Sequence, residues 1–214
     1  MKVIAFNGSP RKQWNTATLL GKVLEGAKSQ GAETELVHLY DLNYKGCISC
    51  FACKLKDGKS YGKCAVNDDL KPIFGKIESA DVLIFGSPIY LGFVSGEMHS
   101  FFERLIFQYL TYTDPPASLF ERQLKTAFIY TMGLPESVMI QMGYPQFMDR
   151  ISMFLTRIFG HAESLCSFDA LQFDDYSKYH APRFDPEHKA KWHKEVFFKD
   201  CDKAFEMGQR LAKG

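Results

Sequence analysis

The stretch KVIAFNGSPRKQWNTATLL, Lys2 to Leu20, sets the pattern for the whole chain. Val3, Ile4, Ala5 and Phe6 form an unbroken apolar run that ends at a glycine and a proline, and a helical pattern starts soon after. A strand apolar at every position suits a parallel sheet covered on both faces, since a sheet with one wet face would alternate. Thr16 to Gln30 then places Leu19, Leu20, Val23, Leu24 and Ala27 on one helical face. Gly31 is suited to cap that helix just past its end.

The same unit recurs downstream. ETELVHLYDL (33–42), ADVLIFGSP (80–88), LKTAFIYTMG (124–133) and the weaker ESLCSFDALQF (163–173) read as four more strands. Helical patterns cover Asp68 to Ser79, Ser95 to Tyr112, Pro145 to Gly160 and, after a polar connector, about Lys189 to Lys213. Alternating strands and helices of this kind give an α/β class, a doubly wound three-layer sandwich with a five-stranded parallel sheet. One domain over 1–214 is expected, with a helical tail from about 173. In this architecture ligands lie beyond the carboxyl ends of the strands, so the strand-end loops carry the functional signal.

Composition narrows the function classes. The chain has 214 residues, with 26 Lys plus Arg against 25 Asp plus Glu. That balance offers no basic stripe for nucleic acid or an anionic membrane. The first apolar run is too short for a secretory signal and no run approaches a membrane span. The expectation is a cytoplasmic protein with reduced thiols. Phe101, Phe102, Ile106, Phe107 and Leu110 give one helix a wide apolar surface, read as a contact for a homodimer or higher oligomer.

The first strand ends in NGSPRKQWNTATLL, rich in donors at a helix start: Ser9, Arg11, Asn15, Thr16 and Thr18. Helix N-termini present free N–H groups and partial positive charge, which suits a phosphate. Neither G-x-G-x-x-G nor G-x-x-x-x-G-K-[ST] is present, which leaves a pocket for one phosphate or an ordinary helix start capped by Ser9 or Asn15. The third strand ends in FGSPIYLGFVSGEM, where Tyr90 and Phe93 sit among glycines: a segment for a flat ring to lie against, or a tight turn with its aromatics packed on neighbouring helices. The fourth ends in YTMGLPES, another small-residue turn on the same edge. The six histidines, at 38, 99, 161, 180, 188 and 193, lack metal-ligand spacing and read as structural or surface groups.

GCISCFACKLKDGKSYGKC, Gly46 to Cys64, holds Cys47, Cys50, Cys53 and Cys64. Four thiols match the ligand number of a 4Fe–4S cluster, and CxxCxxC bends a loop around one centre. Zinc, a Cys53–Cys64 disulfide formed in air, and a cluster-free thiol loop remain open, because spacing alone does not rank them.

Taken together, NGSPRKQWNT, GSPIYLGFVSG and the cysteine segment before NDDL resemble the flavodoxin-fold NAD(P)H-dependent FMN reductase family. Within it they are most similar to the cysteine-bearing branch of the iron–sulfur flavoproteins. The resemblance runs from Met1 to about Gly133 and more loosely through the C-terminal segment. It implies a flavodoxin-like sandwich of strand order 2-1-3-4-5 that binds one FMN. The FMN phosphate would fall to Ser9, Arg11, Asn15 and Thr16, with Ala17 and Thr18 beside them. The ring and ribityl would fall to Pro88, Ile89, Tyr90, Leu91 and Gly92, with Thr131 and Gly133 from the fourth strand's turn. NADH or NADPH would be co-substrate, and the acceptor a quinone, nitro or azo compound, or a protein such as ferredoxin. Two departures stand out. Gln13 and Trp14 replace the small or polar residues usual in the first loop. The ten residues between Cys53 and Cys64 exceed the gap of cluster-binding relatives, and cluster-free relatives carry similar cysteines. The expectation is therefore FMN without a cluster in a sample prepared in air.

Overall fold

The computed structural model describes residues 1–213. Its strands are β1 (Lys2–Asn7), β2 (Glu33–His38), β3 (Val82–Tyr90), β4 (Phe93–Val94), β5 (Lys125–Thr131) and β6 (Glu163–Ser167). Its helices are α1 (Asn15–Ser29), α2 (Leu70–Glu78), α3 (Gly96–Tyr109), α4 (Glu136–Gln141), α5 (Tyr144–Phe159), α6 (Pro186–Trp192) and α7 (Phe198–Leu211). Five strands run parallel in the order β2-β1-β3-β5-β6, the expected 2-1-3-4-5 topology. The sheet differs from expectation by one short strand. β4 folds back antiparallel on the end of β3 through Leu91 and Gly92, whose φ values are 52° and 85°. Two left-handed residues in succession make the turn that matches the twist of a two-residue hairpin.

Side-chain size sorts the two faces of the sheet. Phe6, Phe85 and Phe128 stand side by side in register across β1, β3 and β5, with ring centroids 5.6 and 5.8 Å apart. With Tyr130 they meet α2, α3 and α5 in one core. On the opposite face Val3, Ala5, Val82, Ile84, Ala127 and Ile129 meet α1 and α7. The smaller face admits a close helix pair: α7 crosses α1 at Gly26 and Gly208, where backbones touch. A Cβ at Gly208 would stand 1.9 Å from the Val23 carbonyl oxygen, and one at Gly26 2.0 Å from that of Phe205.

Helix ends depart from the periodicity reading. α4 precedes α5 as a separate short helix, because Gly143 takes φ 74° between them. The single C-terminal helix expected from about Lys189 is α6, a π turn at His193–Phe197, then α7. The π turn resets the helical phase. α6 thereby turns Lys189 and Trp192 toward residues 168–169, while α7 keeps Ala204, Met207 and Leu211 on the α1 side. The apolar surface of α3 also finds cover within the chain. Phe101, Phe102 and Ile106 lie in the core, and Phe107 packs beneath Phe51 and Lys54. These side chains, expected at an oligomer contact, thus pack within the chain. Among the described residues no helix is long and apolar enough to cross a membrane.

Candidate functional site

The first and third strand-end loops are tied together beneath the site. Gly8 donates its N–H to Gly86 O (2.8 Å), and Ser95 Oγ donates to Gly8 O (2.6 Å). Ser95 also accepts from Met98 N as the cap of α3, and its own N–H reaches Ser87 Oγ at 2.9 Å. Gly8 has no alternative here, since a Cβ would lie 2.8 Å from Met98. Asn7 Oδ1 accepts from Ser9 N (3.0 Å), and Ser9 Oγ from Arg11 N (3.1 Å), so the loop is shaped by its own side chains. α1 then opens with no capping side chain and no acidic residue in its first turn. Its leading N–H groups are available to an anion.

One cavity lies over these loops. Ser9, Arg11, Asn15, Thr16, Pro88, Ile89, Tyr90, Thr131 and Gly133, nine of the residues singled out in the sequence, line it. Thr16 and Thr131 join at its base by a 2.7 Å hydroxyl–hydroxyl bond. Four expected residues are not part of the wall. Ala17 is buried behind it, while Leu91 and Gly92 form the exposed hairpin tip. Thr18 faces a neighbouring groove with His193 and Phe197 instead.

Sequence reasoning missed the opposite wall, Ala170, Leu171 and Gln172, together with Trp14 and Met132. Arg11 Nη1 donates to Gln172 O (2.6 Å), while Asn15 Nδ2 and Trp14 Nε1 both donate to Leu171 O (2.8 and 3.1 Å). This segment follows β6, so the rule that ligands lie beyond strand ends could have found it. It is held from behind by a buried charge pair. Asp169, 5% exposed and at φ 52°, meets Lys189, 3% exposed, and His188 Nε2 at 2.8 Å. Lys189 Nζ also donates to Gly133 O (3.0 Å), linking α6 to the turn after β5. Burial opposes ionisation of Asp169, but the bonds from Lys189 and His188 outweigh it and hold its pKa below the ordinary carboxylate value.

The four clustered cysteines lie away from this cavity and line a second one with Phe51, Phe107, Arg104 and Gln108. Ser49 and Phe51, one in each xx pair of CxxCxxC, adopt φ values of 53° and 55° and curl the loop. The long insertion does not carry Cys64 away. Gly62 N bonds to Cys53 O (3.0 Å), so residues 54–63 close on themselves as successive turns and return Cys64 to the group. Lys54 holds the whole segment to the end of α3, donating to the carbonyls of Phe107, Gln108 and Leu110. Burial pushes the Cys53 thiol up, partly offset by the Lys54 ammonium. Among the described residues no three Cys, His, Asp or Glu groups are arranged to grip one metal ion. A single zinc would need its thiolates roughly 3.8 Å apart, as tetrahedral Zn–S bonds of about 2.3 Å require.

Comparison with known proteins agrees with this picture. The chain is 39% identical over 104 residues to an iron-sulfur flavoprotein of Methanocaldococcus jannaschii, covering 49% of this chain and 51% of the relative. An iron-sulfur flavoprotein of Archaeoglobus fulgidus matches at 39% over 104 residues, 49% of this chain and 48% of that one. The chain thus spans about half the length of the curated relatives it matches. Among solved structures, an NAD(P)H:quinone oxidoreductase from Methanothermobacter marburgensis superposes with a TM-score of 0.70 at 16% identity, covering 98% of both chains, a likeness of fold. The model of NADPH-dependent FMN reductases matches residues 1–133, the segment that supplies β1, β3, β5 and their three strand-end loops. With that match over most of its length, the chain belongs to the NADPH-dependent FMN reductase family.

Proposed function

We propose that this protein is an FMN-dependent oxidoreductase that takes hydride from NADH or NADPH and passes electrons to a small-molecule or protein acceptor. The observation that carries this reading is one cavity walled by the ends of β1, β3, β5 and β6, with donors at one end and Tyr90 at the other. The donor set fits a flavin mononucleotide. Arg11, Ser9, Asn15, Thr16 and the uncapped start of α1 suit its phosphate, and Pro88, Ile89 and Tyr90 supply a flat apolar edge for its ring. Bound FMN would supply the hydride chemistry itself, so the chain's task is to bind, orient and exclude water. Thr131 and Gly133 close the cavity on the β5 side, and residues 170–172 close the remaining side.

Exchanging Arg11 and Thr16 together for alanine is expected to weaken FMN binding at least tenfold, about 1.4 kcal/mol, with the fold intact. A fluorescence titration checks it, and unchanged affinity would place the phosphate elsewhere. Heat-released cofactor should chromatograph as FMN, since the first loop offers a single phosphate site. Anaerobic mixing with NADH or NADPH should bleach the bound flavin. If neither does, the protein is an electron carrier and not a nicotinamide-linked reductase.

A second reading concerns the cysteine cavity and is favoured by the return of Cys64 to Cys47, Cys50 and Cys53. Those four thiolates would hold a 4Fe–4S cluster, which would add a one-electron site to a two-electron flavin protein. The relatives above bear the name iron-sulfur flavoprotein. Protein purified without oxygen should then contain about four irons per chain, and Cys50→Ser few. Negligible iron in both would leave a flavin reductase with a thiol loop.

A further inference from the structure

Two side chains in the wall of the cysteine cavity are built for an acceptor that the chain does not supply. Arg104 is 2% exposed, deep under the thiol loop. Its Nη1 donates to Lys45 O (3.2 Å) and to Asp68, and its Nη2 to Asp68 Oδ1 (3.1 Å) and Cys64 Sγ (3.3 Å). Its Nε–H finds no partner. Gln108 is also 2% exposed. Its Oε1 accepts from Cys64 N (3.0 Å), which fixes the amide with its NH₂ group as the remaining donor, and Nε2 finds no partner either. Buried donors without acceptors are rare, and each calls for a reason. Here two occur one helical turn apart on α3, in the wall that also carries Cys47, Cys50, Cys53 and Cys64.

Resting on the cluster reading above, we propose that Arg104 and Gln108 are positioning residues that donate hydrogen bonds to the sulfurs of a cluster held by these four cysteines, and so raise its reduction potential. A cluster ligated by four thiolates is an anion and gains another negative charge when reduced. Hydrogen bonds to its sulfurs and nearby positive charge therefore favour the reduced form. Arg104 brings both. Asp68 is the acidic group facing it, and with both carboxylate oxygens engaged it orients the guanidinium so that Nη2 meets Cys64. On α3, Arg104 and Gln108 face the same way because residues four apart share a helical face.

The test is a redox titration of the anaerobically purified protein, followed by electron paramagnetic resonance, with iron and FMN counted per chain. Gln108→Leu removes the Nε2 donor, and Arg104→Lys keeps a cation opposite Asp68 while withdrawing Nε. Each is expected to shift the cluster equilibrium at least tenfold toward the oxidised form, a fall of about 59 mV for a one-electron couple. FMN content reports folding, because the flavin loops lie on other elements, and a variant that loses FMN is replaced by the other of the pair. Iron in the parent with potentials unchanged in FMN-loaded variants overturns the proposal and leaves the cluster reading standing. FMN-loaded parent without iron overturns both.

Discussion

Lys189→Met is expected to destabilise the protein by about 3–5 kcal/mol, the usual effect of removing one partner from a buried ion pair. The ammonium is nearly sealed from solvent against Asp169, and its loss leaves a buried carboxylate facing only His188. It also frees Gly133 O and the segment 169–172, so FMN affinity should fall along with stability. Denaturant unfolding of parent and variant checks the first effect, and a flavin titration below the transition checks the second. The double variant Asp169→Asn with Lys189→Met removes the stranded charge and keeps a residue tolerant of φ 52°, so it should recover much of the loss. A loss under about 1 kcal/mol in Lys189→Met would mean that the pair does not hold this wall. The pH dependence follows from the same group. Because Asp169 has a lowered pKa in the fold, its contribution is complete above the ordinary carboxylate value of 3.8. It declines as the pH falls through the lower folded value, since the unfolded chain takes up that proton first. Asp169→Asn should lack this part of the acid transition.

The second large effect is expected at the α1–α7 crossing, and its sign is opposite to helix propensity. In a helix interior Gly→Ala normally stabilises by about 1 kcal/mol. Gly208→Ala should instead destabilise by about 1–3 kcal/mol, because the added methyl meets the backbone of Val23 and two helices must move apart. Gly208→Leu should exceed that range, and Gly26→Ala should behave as Gly208→Ala does. The pair should be non-additive, since either change opens the same contact. Gly21→Ala is the control: it lies in α1 with open space around it and should stabilise by roughly 0.5–1 kcal/mol. Thermal unfolding of these four variants and of the Gly26→Ala, Gly208→Ala double variant reads all of this. Stabilisation by Gly208→Ala would mean that α7 is free to shift on α1.

Neither effect was legible in the sequence, because each depends on two segments that only the fold brings together. Asp169 lies in a segment that reads as a weak strand and Lys189 at the start of the last helix, and nothing local marks a lysine as buried. Gly26 and Gly208 lie in two separate helices, and nothing in either segment marks them as a contact. Gly26 and Gly208 meet only because α7 returns to the α1 face of the sheet, a contact between the two ends of the chain, and Lys189 reaches Asp169 only because α6 folds back over the segment that follows β6.

What the sequence by itself determined is whatever depends on local pattern. Apolar runs such as Val3–Phe6 and Val82–Phe85 announced doubly covered strands, and their alternation with helices led to the parallel sheet and its order. The small, donor-rich turns after β1, β3 and β5 marked one edge as the binding edge, and most of the named residues line one cavity. Only the tertiary structure decided the rest. It closed that cavity with Ala170, Leu171 and Gln172, which carry no chemical signature because their backbone carbonyls do the work. It turned the apolar surface of α3 inward beneath the cysteine loop. It also brought Cys64 back across a ten-residue insertion, since a chain of turns closed by Gly62 N and Cys53 O sets the span, whatever the number of residues between.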